Sequence, residues 1–211
     1  MRLVTVNVVE ELIPGPKETG FTAIDKRPQL ERVPVGELGL RGDSVCDVKN
    51  HGGPDLALYA YAAEDSEWWA EQLGREIPSG LFGENLRTEG LDITNALIGE
   101  TWRFGDGPDA VEVMVRAPRI PCVTFQHRMQ VPGWVKRFHQ EGRPGAYLKV
   151  LKTGVIGAGD PVTILSRPEH EVTVRVMFAA QDSAKMRAML DSGVDLMDEL
   201  RADAERVAAR A

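Results

Sequence analysis

Val111-Glu112-Val113-Met114-Val115-Arg116-Ala117-Pro118-Arg119-Ile120-Pro121-Cys122 is the stretch whose reading decides the fold, and it also holds the first candidate for chemistry. Val111, Val113, Met114 and Val115 form an apolar, mostly β-branched run of the kind that builds a strand. Cys122, one of two cysteines, comes directly after Pro121, which holds the thiol in a fixed local geometry close to Arg119 and Arg116. Such a thiol could present a thiolate to a soft metal. It could equally be a small buried hydrophobe, since free cysteine is among the most buried residue types.

Outward from this strand, glycine and proline cut the first 168 residues into short segments. Turn signals fall at Pro14-Gly15-Pro16, Gly39 to Asp43, Gly52-Gly53-Pro54, Gly105 to Pro108 and Gly157 to Pro161. Between them lie further strand-like runs at Leu3–Val9, Ala57–Tyr61, Thr101–Phe104, Ala146–Leu151 and Pro161–Leu165. Many short strands without alternating long helices predict a mostly β, α+β domain of the barrel or sandwich-like type. Two helices interrupt it: Ala63–Leu73, stopped by Gly74, and a short one over Trp134–Gln140.

After Arg167-Pro168 the composition changes. Asp182 to Ala211 has no proline and favours helix. Asp182 or Ser183 can cap one helix that stops near Gly193, and Asp195 a second that runs to the end. Met186, Met189 and Leu190, like Leu196 and Leu200, have the spacing of a packing face, while Glu171–Val176 alternates like a strand and stays ambiguous. The expected organisation is a β domain over residues 1–167 and a helical appendage over 168–211. That appendage could pack on its own barrel or on a second subunit, so a homodimer stays open.

A chain of 211 residues with 43% hydrophobic and 27% charged content suits one globular domain plus an appendage. The net charge of −7 argues against bulk nucleic-acid binding. Residues 116–149 nevertheless carry Arg116, Arg119, Arg128, Lys136, Arg137, Arg143 and Lys149 against the single acid Glu141. They read either as a site for a small anion or as a solvated basic face. The N-terminus has no signal-like apolar region and no stretch approaches a membrane span, so the expected location is the cytoplasm, without a membrane partner.

No glycine-rich dinucleotide loop, Walker A loop or nucleophile elbow is present. Two cysteines cannot supply an ordinary iron–sulfur cluster, and His51, His127, His139 and His170 give no zinc spacing. If the protein does redox chemistry, its electrons arrive from another polypeptide.

Several motifs occur in order. They are Gly39-Leu40-Arg41-Gly42-Asp43, Asp47, His51-Gly52-Gly53, Phe82-Gly83-Glu84-Asn85-Leu86 and Ile98-Gly99-Glu100. Pro118-Arg119-Ile120-Pro121-Cys122, Gly142-Arg143-Pro144-Gly145-Ala146-Tyr147 and Gly157-Ala158-Gly159-Asp160 follow. Together they resemble the MOSC domain, named after the C-terminal part of molybdenum cofactor sulfurase. Within that family the chain is similar to the stand-alone bacterial YiiM-like branch, whose small three-helix appendage the tail resembles.

The resemblance implies a β-barrel-like domain and a pterin-based molybdenum cofactor of the molybdopterin type, with Cys122 as the protein's ligand to molybdenum. It also implies reduction of small N-hydroxylated compounds, such as hydroxylaminopurines and amidoximes, with an external reductase as partner. Arg119, Arg143, Asn85, Gly83, Gly52 and Gly53 then become cofactor-binding candidates. A dithiolene-bound molybdenum is a soft centre that a thiolate completes, and a nearby guanidinium favours the thiolate. Breaking a nitrogen–oxygen bond needs a proton, for which His51 and Glu84 are the candidates.

Each of these has a plainer reading: Asn85 as a turn asparagine, Glu84 as a structural carboxylate, His51 as a satisfied turn histidine. Cys46 is read as structural, and Tyr147 and Trp134 as packing residues. One departure is Leu56, at a position where the family often carries lysine; Arg87, Arg119, Arg143 or Lys149 would have to replace that charge. A different class of function is also open, a non-catalytic carrier of the cofactor or its sulfur, as is a plain interaction domain. The site model requires residues 119–122 and 83–86 to line one groove.

Overall fold

The structure is a computed structural model that describes residues 1–18, 20–46 and 52–210. Thirteen strands are assigned along the described chain: β1 (Arg2–Val9), β2 (Ile13–Pro14), β3 (Phe21–Thr22), β4 (Lys26–Pro28), β5 (Val33–Gly36), β6 (Gly39–Leu40), β7 (Leu58–Ala62), β8 (Leu86–Glu89), β9 (Thr101–Phe104), β10 (Val111–Pro118), β11 (Ala146–Lys152), β12 (Gly154–Ile156) and β13 (Val162–Ser166). The helices are α1 (Ala63–Leu73), α2 (Val123–Met129), α3 (Trp134–Glu141), α4 (Val174–Ala179), α5 (Ser183–Asp191) and α6 (Asp198–Ala208).

Eight strands form one mixed sheet in the order β13-β9-β10-β11-β7-β8-β1-β4. All its pairings are antiparallel except β7 with β8, whose parallel connection is made by α1. The sheet curls until the start of β13 reaches β1, one strand in from the edge strand β4. Arg2 bridges Pro161, Leu3 N donates to Asp160 O at 2.8 Å, and Val162 N donates to Met1 O at 3.0 Å. A bridge, not a full ladder, makes this closure, so the fold is barrel-like, as the strand pattern leads one to expect.

Strand β7 shows how sequence becomes layers. Side chains alternate across a strand. Leu58, Ala60 and Ala62 face the aliphatic core inside the sheet, with Val113, Val115 and Leu148. Tyr59 and Tyr61 face an aromatic cluster with Trp69, Phe82, Phe125, Trp134 and Phe138. Both faces are covered, so all five residues are buried. Trp134 is fully buried in this cluster, the packing role expected of it.

Gly145 makes the approach of β11 to β7 possible. Its φ of +67° suits glycine, and a Cβ there would sit 2.6 Å from Ala60 O and 2.7 Å from the Tyr61 ring. The neighbouring carbonyls of Pro144 and Arg143 accept the hydroxyls of Tyr59 (2.9 Å) and Tyr61 (3.0 Å).

The tail is helical and its packing face is the expected one. Met186 and Met189 are buried with Leu196, Leu200 and Val207 in the same aliphatic cluster as the sheet interior. Asp182 caps α5 by accepting Lys185 N at 3.0 Å. The ambiguous stretch resolves into a single bridge from Thr173 to Leu97 followed at once by α4, whose N-cap is Thr173. Asp195 does not cap α6, which starts at Asp198; its carbonyl and carboxylate are instead taken by Arg116.

Candidate functional site

A cavity of about 360 Å³ opens where the aromatic cluster meets the loop after β6. Its wall includes Arg119, Cys122, Gly83, Asn85, Gly52 and Gly53. The two stretches that the site model required on one groove, around residue 83 and around residue 119, are both there. Cys122 is half-buried on extended backbone immediately before α2. Gly83, at φ +79°, brings the backbone close to Ile24, where a Cβ would be 2.9 Å from Cγ1.

Arg119 is the most unusual side chain in the wall. It is only 5% exposed, and its guanidinium lies 3.8 Å over the Phe125 ring and 5.4 Å from Tyr59. The rings stabilise the cation through their π faces. Its buried Nη1 has no hydrogen-bond partner among the described residues. A buried charged donor without an acceptor is costly, which suits a site built for an anionic or strongly accepting ligand. Tyr147, read from sequence as packing, lines the cavity beside it. Burial pushes the Tyr147 phenol above its usual range, and the Arg119 charge pulls the other way.

Asn85 serves the frame of the site. Its Oδ1 accepts Tyr59 N at 3.0 Å, and its Nδ2 donates to Asn7 O at 3.3 Å and Asp43 Oδ2 at 2.7 Å. Asp43 in turn accepts Val9 N at 3.0 Å and pairs with the Lys26 ammonium. Lys26 and Asp43 both line the cavity. Sequence reasoning passed over Lys26, for which Asp25-Lys26-Arg27-Pro28 carries no recognisable pattern; Asp43 was quoted only as part of a glycine-rich motif.

Glu84 lies elsewhere. Fully buried, it accepts Gly80 N (2.8 Å), Phe82 N (3.1 Å) and Arg87 Nε (3.0 Å), and it is not part of the cavity wall. This is the arrangement of a structural carboxylate that shapes the turn before β8. Arg87 is occupied by the same pair. Arg143 pairs with Asp65 and stacks over Trp68 at 4.7 Å, lining a second crevice instead. His51 and Asp47 lie outside the described residues. Cys46, read as structural, is half-buried and lines the cavity, as does Leu56.

The basic run from 116 to 149 is neither one anion site nor one solvated face. Arg116 joins Asp55 (2.7 Å) and Asp195 (3.1 Å), Lys149 joins Asp55 (3.5 Å), and Arg128 pairs with Asp25. Acids distant in sequence neutralise most of it. Of the run's members, only Arg119 lines the cavity.

This barrel-like architecture, with a cysteine and a buried arginine on one cavity, defines a class. The model of the MOSC domain matches residues 47–163, and the chain belongs to that family. MOSC domains are associated in general with binding the molybdenum cofactor. The chain is 37% identical over 154 residues to the uncharacterized protein YflK of Bacillus subtilis, covering 73% of this chain and 68% of YflK. It is 34% identical to a protein named Reductase from Gibberella moniliformis, covering 70% of this chain but only 26% of that much longer protein. The crystal structure of YiiM from Geobacillus stearothermophilus superposes with a TM-score of 0.77 at 27% identity, over 98% of both chains.

The residues present fit such a cofactor. One thiol suits a soft metal that brings its other ligands with it. Arg119 Nη1, without a partner among the described residues, suits an anionic group, and Gly53, where a Cβ would meet nothing within 4 Å, leaves the backbone open to close approach.

Proposed function

We propose that this protein is a molybdenum-cofactor-dependent oxidoreductase that reduces N-hydroxylated compounds such as hydroxylaminopurines and amidoximes. A separate reductase provides the electrons, and the cytoplasm is the compartment. One observation carries the reading: Cys122 and a buried guanidinium with an unsatisfied donor share the wall of one cavity. The fungal relative named Reductase supports the reaction class. Among the described residues no helix is long and apolar enough to cross a membrane.

When bound, the cofactor supplies two-electron reduction. The chain does the rest. Cys122 would give the metal its protein thiolate, and Arg119, whose Nη1 lacks a partner among the described residues, would meet the anionic part of the cofactor. Asn85 ties Asp43 and the Tyr59 strand together on the cavity wall. The apolar side chains of Phe21, Leu38 and Leu56 line the same cavity.

The test is turnover of 6-hydroxylaminopurine by cofactor-loaded protein with an artificial electron donor. We expect activity in the wild type and its loss in Cys122→Ala. Undiminished turnover by Cys122→Ala would refute the ligand role. A cysteine that labels readily and a cofactor passed on to an acceptor, without turnover, would favour the carrier function instead.

A further inference from the structure

We propose that Lys26 is the proton donor for nitrogen–oxygen cleavage in this cavity, and that Asp43 is the residue that positions it. The inference rests on the reductase reading above. In that reaction R–NH–OH takes up two electrons and two protons and leaves as R–NH2 and water. The nitrogen–oxygen bond breaks and nitrogen is reduced. One proton passes from Lys26 Nζ to the departing oxygen, and the other comes from solvent. The electrons come from the external reductase.

Geometry singles out Lys26. Its side chain is 8% exposed yet lines the cavity that holds Cys122 and Arg119. Its backbone is fixed by β4 pairing with β1, Lys26 opposite Val9, and by Gly80, where a Cβ would be 2.2 Å from Lys26 O. Its ammonium is held by Asp43, whose other bonds come from Val9 N (3.0 Å) and Asn85 Nδ2 (2.7 Å). A carboxylate clamped by a main-chain amide and a side-chain amide cannot swing away, so the ammonium is aimed by rigid parts.

Among the described residues, two nearby carboxylates are committed elsewhere. Glu84 is closed in by Arg87 and two backbone amides, and Asp25 by Arg128 and Arg27. Charged groups facing Lys26 are Asp43 and, further off, Glu84; Lys17 and Arg119 share the cavity.

Burial lowers the Lys26 pKa from its ordinary 10.5, while Asp43 and Glu84 oppose the fall. A donor works only when protonated. Activity is therefore present at lower pH and lost as pH rises through a midpoint below that of a free lysine.

Two measurements test this. The first is the pH dependence of kcat/KM for wild type, Lys26→Arg and Lys26→Met, each checked for fold by circular dichroism and for molybdenum content. Lys26→Met should lose about 100-fold or more. Lys26→Arg should lower kcat/KM and move the remaining basic limb upward, because guanidinium releases its proton far less readily. An unchanged pH profile in Lys26→Arg overturns the assignment.

The second is acetylation of lysines by acetic anhydride in cofactor-free protein across pH, read by peptide mass. Lys26 should react with a lower midpoint than exposed Lys136. An equal or higher midpoint removes the donor role even if the enzyme is active. A wild type that reduces no N-hydroxylated compound defeats the parent reading, whatever Lys26 does.

Discussion

Arg119 and Glu84 show what burial does to two charges that both lie inside the candidate motifs. Glu84 satisfies its charge inside the protein, against Arg87 and two amides, and so leaves the chemistry. Arg119 keeps one donor unsatisfied and so remains available to it. Glu84→Gln should therefore strand the buried Arg87 charge and cost roughly 3–5 kcal/mol of stability in a denaturant titration, with the activity per folded molecule retained. Arg119→Met should act in the opposite sense, leaving the fold largely intact while cofactor affinity falls about tenfold or more by equilibrium binding.

His170, outside every site motif, gives a pH signature of the fold. Its Nδ1 accepts Val172 N at 3.1 Å, and its Nε2 donates to Ile98 O at 2.9 Å, which is the neutral ring. Burial lowers its pKa below the ordinary 6.5. Below pH 6.5 the unfolded chain takes up a proton that the folded one refuses, so stability present above that pH is lost as pH falls towards the lowered pKa. Thermal melts should drop across this window in wild type and flatten in His170→Gln.

At the scale of elements, the strands legible in the sequence were those whose own residues carry the signal. Thr101–Phe104 and the Ala63–Leu73 helix match their expected bounds, because β-branched and aromatic residues, helix formers and a stopping glycine act locally. Strand β8 and helix α2 were not legible. Leu86–Glu89 carries two charges on four residues and forms a strand only because parallel β7 and antiparallel β1 supply its partners. Val123–Met129 is too short to declare itself, although it sets the position of Cys122 just before its first turn.

Gly145 lets β11 pack against β7, behind the Tyr59 that lines the cavity. Gly145→Ala forces a Cβ into Ala60 O and the Tyr59 and Tyr61 rings. It should cost about 1–3 kcal/mol at a positive φ, seen as a lower denaturation midpoint. Near-ultraviolet dichroism should report the disturbed tyrosines.

At the scale of the whole molecule, pairing between distant residues is what the sequence conceals. The basic run around Cys122 looked like one feature, and the fold distributes it among Asp25, Asp55, Asp65 and Asp195. The helical tail likewise reads as an appendage, yet its buried methionines and valines belong to the aliphatic core of the sheet, and Arg116 in β10 grips Asp195 in the tail. A chain ended at Arg167 would lose Val172, Val174, Met177, Met186 and Met189 from the aliphatic core and uncover the sheet side chains they pack with. At roughly 1.5–3 kcal/mol for each fully buried side chain, that is comparable with the whole stability of an ordinary domain. It should fail to melt cooperatively by calorimetry.

The ordered motifs from Gly39 to Asp160 point to the family in the sequence, and the fold brings Cys122, Arg119 and Gly83 onto one cavity. Lys26 joins them through a β4–β1 pairing that only the three-dimensional structure displays. The most direct test of the whole account is molybdenum content by elemental analysis of protein purified from a cofactor-producing host, wild type beside Cys122→Ser. The account predicts near-unit molybdenum with oxidised-pterin fluorescence in the wild type, and loss of metal from a folded Cys122→Ser protein. Wild-type protein that carries no molybdenum, or a variant that retains it in full, would contradict it.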